Sequence, residues 1–139
     1  MASGVEARIA ELLFEYIGTL SLSQSLNYAE PSVSFTPEAG TPYIRVDHLP
    51  NGVETLAVGS GENVHTGLLQ LSVMWPVGEG AIAPLEIASE LQSAFDKGLL
   101  LNDAVVRLKF NTRPSVTGPI YDGPFVMYPV TIQYSAYAQ

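Results

Sequence analysis

Apolar residues recur at every second position through Leu69, Leu71, Val73 and Trp75, while Gln70 and Ser72 face the other way. That period predicts a half-buried strand, which Trp75-Pro76 ends. After the loop PVGEGAIA, residues Leu85, Ala88, Leu91 and Phe95 recur at threes and fours, leaving Glu86, Glu90 and Gln92 outside the stripe. This is the pattern of an amphipathic helix lying on the strand before it. Near the start of the chain, Val5, Ile9, Leu12, Leu13, Tyr16 and Ile17 form a second helical stripe ending near Gly18, with Ser3 as the predicted N-cap and Glu6 completing a capping box.

Between residues 20 and 41 helical periodicity is lost, and Ser, Pro, Ala and Glu predict a long excursion with only brief extended pieces. Tyr43 to Leu49 alternates as a strand. Pro50-Asn51-Gly52 then predicts a turn that returns the chain through Val53 to Val58 as a hairpin partner, and GSGENVHTG predicts a looser connection into the central strand. Past the helix stop at Lys97-Gly98, Ala104, Val106, Leu108 and Phe110 lie opposite Val105, Arg107 and Lys109. The last strand sets Val126, Tyr128, Val130, Ile132 and Tyr134 against Met127, Pro129, Thr131 and Gln133, and Pro129 suggests an edge position or a bulge. The order predicts an α+β fold, a mostly antiparallel β-sheet with two α-helices packed on one face, in a single domain over residues 1–139.

Composition narrows what such a domain does. Charged residues make up only 14% of the chain, which favours large partner-covered surfaces, and the formal charge of −8 disfavours a general grip on nucleic acid. Cysteine is absent, which removes disulfides and thiolate chemistry. The first residues lack the basic start and continuous apolar core of a secretory signal. No apolar run approaches the roughly 18 residues that cross a bilayer, so no membrane partner is expected.

Candidate chemistry is sparse. His48 and His65 lack converging ligands, so no metal, cofactor or catalytic role is expected. The glycines of GSGENVHTG precede a strand, whereas a phosphate cradle needs a helix, and VGEGA lacks the Lys and hydroxyl of a nucleotide loop. No serine lies in a nucleophile elbow. Glu86 and Glu90 read as a solvated helical face. Arg107, Lys109 and Arg113 are half of the six basic residues. They either solubilise an exposed sheet face or meet acidic groups such as Glu54, Glu62 or Asp122 of a neighbouring copy. Tyr121, Phe125 and Tyr128 are either core aromatics or interface anchors.

The strand GLLQLSVMWP, the VGEG turn and the helix IASELQSAF resemble the tail-terminator and tail-completion proteins of long-tailed bacteriophages. The run SVSFTPEAGTPYIRVDHLP and the strands VVRLKF and VTIQYSAY extend the resemblance over roughly residues 5 to 137. It implies a structural virion protein rather than an enzyme, one that forms a ring, usually hexameric, on the head-proximal end of the tail tube. Such a ring stops tube polymerisation and joins the head connector. The implied partners are copies of itself, the tail tube protein and a head-tail connector or neck protein, with DNA passing through the lumen without specific binding. On this reading Arg107, Lys109, Arg113, Tyr121, Asp122 and Phe125 are candidates for the subunit interface. Glu62, Asn63 and His65 are candidates for a lumen-facing loop. A neck or head-completion protein, a tube subunit and, more distantly, a small-ligand-binding module are the alternatives.

Overall fold

In a computed structural model, residues 4–31, 33–38, 40–55, 63–103, 105–110 and 112–138 are described. Helix α1 (Val5–Gly18) opens on Gly4 in an extended conformation with no side-chain cap, and Ser3 lies outside the described residues. Glu6, the expected capping-box partner, instead meets His65 across the fold. The predicted stripe holds: Ile9, Leu13 and Ile17 are buried, with Val5, Leu12 and Tyr16 packed beside them.

Strand β1 (Asn27–Ala29) pairs parallel with the start of β2 (Tyr43–Thr55), which pairs antiparallel with β3 (Asn63–Pro76). Here the expected hairpin at Pro50-Asn51-Gly52 is corrected. β2 runs through those residues with a register shift between Pro50 and Gly52 and stays paired with β3 as far as Thr55–Asn63. Gly52 is not among the glycines with positive φ, so the left-handed geometry of a tight Asn-Gly turn is absent and the extra residue is absorbed as a bulge.

Helix α2 (Ile82–Ala94) follows β3. Its buried side is Pro84, Ile87, Ala88 and Leu91, followed by Phe95 just past its end, whereas Leu85 is exposed. The expected stripe was therefore rotated by part of a turn. Pro84, Ile87, Ala88 and Leu91 also keep helical spacing, and apolar residues on several sides of this helix leave the choice to packing.

Four short strands and one long one complete the described sheet. β4 (Leu100–Asn102) pairs with β5 (Arg107–Lys109), and β6 (Ser115–Val116), β7 (Ile120–Asp122) and β5 all pair antiparallel with β8 (Phe125–Ala138). The sheet order is β1-β2-β3-β8-β5-β4, with β6 and β7 added along β8. β8 is thus central, paired with β3 over its whole length. Pro129 does not place it at an edge. The Pro129 carbonyl accepts from the Thr117 amide at 3.0 Å, so its donor-less nitrogen faces the break between β6 and β7.

Register fixes the core. Val46, Leu71 and Val130 lie side by side, as do Ile44, Val73 and Tyr128, and these rows share one apolar cluster with the buried residues of both helices. The described strands are mostly antiparallel, so the α+β expectation with two helices on one face is met. On the opposite face a smaller cluster of Tyr43, Met74 and Phe125 is joined by Ala29, Phe35 and Met127.

Candidate functional site

Two titratable clusters cross-link the covered side. At the start of α1, Glu6 Oε2 lies 2.6 Å from His65 Nδ1, and beside them Tyr134 Oη lies 2.7 Å from His48 Nε2. Burial holds the His48 imidazole below its ordinary range and pushes the Tyr134 phenol well above its own, with the nearby Glu6 charge adding to the latter shift. At neutral pH both are therefore uncharged, and a hydrogen bond joins the Tyr134 hydroxyl to the neutral His48 ring. The Tyr134 ring in turn lies over Gly67, where a Cβ would collide with it and crowd the Leu49 carbonyl. This group has no nucleophile and no set of three converging metal ligands among the described residues. It reads as a clasp of α1 to β2, β3 and β8.

The second cluster ties α1 to the β4–β5 turn. Arg8 donates to Asp103 Oδ2 at 2.5 Å, and Asp103 Oδ1 accepts from the amides of Val105 and Val106 at 2.7 and 2.9 Å. Those amide bonds, then the Arg8 guanidinium, hold the Asp103 carboxyl below the usual carboxylate range. Glu90, expected as a solvated carboxylate, accepts from the Ser23 amide and hydroxyl and so pins the segment after α1 onto α2.

Interface candidates divide by environment. Arg107 and Lys109 project from β5 on the helix-free face, one strand step apart, where Arg107 sits 5.3 Å from the centre of the Tyr137 ring. With Leu100, Asn102 and Tyr137 they border a shallow groove of about 300 Å³. Arg113 is engaged inside the chain, donating to Asp96 at 2.5 Å. Tyr121 is 71% exposed on β7 beside exposed Asp122, whereas Phe125 is buried edge-on against Tyr43 at 5.3 Å. Of the lumen candidates, Glu62 lies outside the described residues; Asn63 and His65 belong to strand β3, and His65 is buried against Glu6 rather than held in a loop. Sequence reasoning missed Phe35 and Arg45. Phe35 packs 4.9 Å from Tyr43, and Arg45 bonds Asp47 at 3.1 Å on the helix-free face.

On that face no reactive centre forms among the described residues. Between the aromatic cluster at one end and the cationic pair at the other run Thr66, Gln70, Thr131, Gln133 and Ser135, with Thr66 opposite Ser135, Leu68 opposite Gln133 and Gln70 opposite Thr131, while Ser72 beside them is fully buried. Hydroxyls and amides without convergent charge suit contact rather than catalysis.

Set against known families, residues 8–134 match the family described as phage tail terminator protein, from α1 almost to the end of β8. The chain belongs to the phage tail terminator family. Membership makes it a structural component of the virion tail, in a family not known for enzymatic activity. No curated protein matches it. One solved structure superimposes with a TM-score of 0.71 at 22% identity, covering 95% of this chain and 92% of the other. At that identity the likeness speaks for the fold alone.

Proposed function

We propose that the chain ends tail-tube growth by assembling, as a ring of six copies, on the head-proximal end of the tube. Its outward surface then receives the head connector. The family match over residues 8–134 carries this reading. The two-sided sheet supports it, since one face is closed by helices and the other leaves half-exposed polar side chains such as Thr66, Gln70, Thr131 and Ser135, with exposed Gln133, free of helix cover. Mechanism is geometric: one ring face copies the contact that tube subunits make with each other, and the other face lacks it.

In this arrangement Arg107, Lys109 and Tyr121 carry the contact to the neighbouring copy, with Asp122 as an acidic counterpart. Arg113 and Phe125 support it from within, because the first is committed to Asp96 and the second to Tyr43. Asn63, at the end of the β2–β3 pair, faces the lumen, and Glu62, outside the described residues, is assigned to the lumen with it. An acidic lumen, in a chain of formal charge −8, keeps DNA from adhering as it passes. Charge reversal at Glu62 is expected to slow DNA delivery while rings still form, and normal delivery would remove Glu62 from the lumen.

The deciding experiment is electron microscopy of particles that lack this gene, with and without the protein supplied in trans. Overlong, headless tails corrected by the added protein are the expected result. Tails of normal length would move the chain to the neck, and absence of tails would make it a tube subunit.

A further inference from the structure

The thirteen residues between Ala29 and Tyr43 leave the sheet from β1 and return to β2 beside it. Their described backbone bonds, Val33 to Glu30 and Thr41 to Glu38, are local turns. Among the described residues of this segment, Phe35 is the one that joins the aromatic cluster of Tyr43, Met74 and Phe125, and its neighbours Ser34 and Thr36 are exposed. The segment is therefore a strap whose described residues meet the aromatic cluster of the helix-free face through one plug.

The strap also has far more length than its span requires. Ala29 is the partner of Arg45, two residues beyond Tyr43, so strand spacing puts the two ends of the strap about 8 Å apart. Thirteen extended residues reach roughly 40 Å or more. A plug on a slack strap can fill the same socket on an adjoining copy with the same contacts, which is the low-cost exchange by which identical chains link. In a closed ring every socket is filled either way, and exchange carries a strap of one chain across each joint.

We infer that Phe35 is an exchangeable plug: in the assembled ring it leaves its own chain and seats in the Tyr43, Met74 and Phe125 socket of the next copy. The inference rests on the ring reading above and specifies how the ring is locked.

The absence of cysteine makes a direct test possible, because introduced thiols are then the only ones in this chain. Two singly substituted chains, Thr36→Cys beside the plug and Ile120→Cys on the strand position paired with Met127, are supplied together to particles lacking this gene. Purified tails are treated with a short bis-maleimide and the released complexes weighed by native mass spectrometry. Dimers linked from 36 to 120 are expected in tails, whereas a chain carrying both thiols gives only internal links in dilute solution. Released rings without such dimers overturn the exchange and leave the ring standing. A released single chain without dimers overturns both. Ser34→Cys serves as a second reporter. Phe35→Ser gives an independent reading: a folded monomer whose assembly onto tails falls at least tenfold is expected, and assembly at the unsubstituted level overturns the plug.

Discussion

The two faces of the sheet are built on opposite principles. On the covered face, rows such as Val46, Leu71 and Val130 meet the buried sides of both helices in one continuous apolar cluster. On the helix-free face the neighbouring rows carry hydroxyls and amides, with an aromatic socket at one end and two cations at the other. The difference separates what holds the chain together from what it offers to others, and substitutions on the two faces are expected to behave differently.

The largest loss should follow Leu71→Ala, which empties a fully buried site between β2 and β8. Urea melts should show a fall of about 2–5 kcal/mol. Asp103→Asn, which breaks the tie between α1 and the β4–β5 turn, should cost about 1.5–3 kcal/mol at neutral pH. Its pH dependence has a definite sign. The folded carboxyl is held below its ordinary range, so its contribution is complete above the unfolded value of about 4 and disappears as pH falls through the folded one. Melts of the two chains should therefore converge in acid, and a gap that persisted unchanged would assign the loss to packing. Gly67→Ala drives a methyl into the Tyr134 ring, itself bonded to His48, and should cost about 1–3 kcal/mol, read as a lowered melting temperature.

The smallest effect on stability belongs to the open face. Arg107→Glu combined with Lys109→Glu should change stability by about 0.5 kcal/mol or less per site. The same pair should abolish assembly onto tails in a pull-down with tube protein. A large drop in stability would make these cations part of the fold and erase the contrast between the faces.

The covered face was legible from the sequence because its periods are strong: the alternations of β3 and β8 and the stripe of α1 each place side chains where they are found. Misreadings arose where local chemistry competed with long-range pairing. Pro50-Asn51-Gly52 has the composition of a turn, yet β3 pairs β2 on both sides of it and turns it into a bulge. The setting of α2 was missed because Leu85 and Ile87 are equally apolar and only one faces the sheet. On the open face, Arg107 and Lys109 were legible as exposed cations, while Arg113's partner Asp96 and the plug at Phe35 depend on contacts that no short sequence window contains.

The full-length pairing of β3 with β8 also governs how the chain is made. β3 ends at Pro76 and β8 begins at Phe125, so the middle of the sheet joins segments with both β6 and β7, and the whole of α2, between them. Contacts so distant in sequence close slowly, since the intervening loop must be ordered first. During synthesis, the inner edge of β3 therefore stays unpaired until the last strand emerges from the ribosome. Each newly made subunit passes through an interval in which it is adhesive but unfinished, and the cell's chaperones are expected to hold it until β8 slides into the gap.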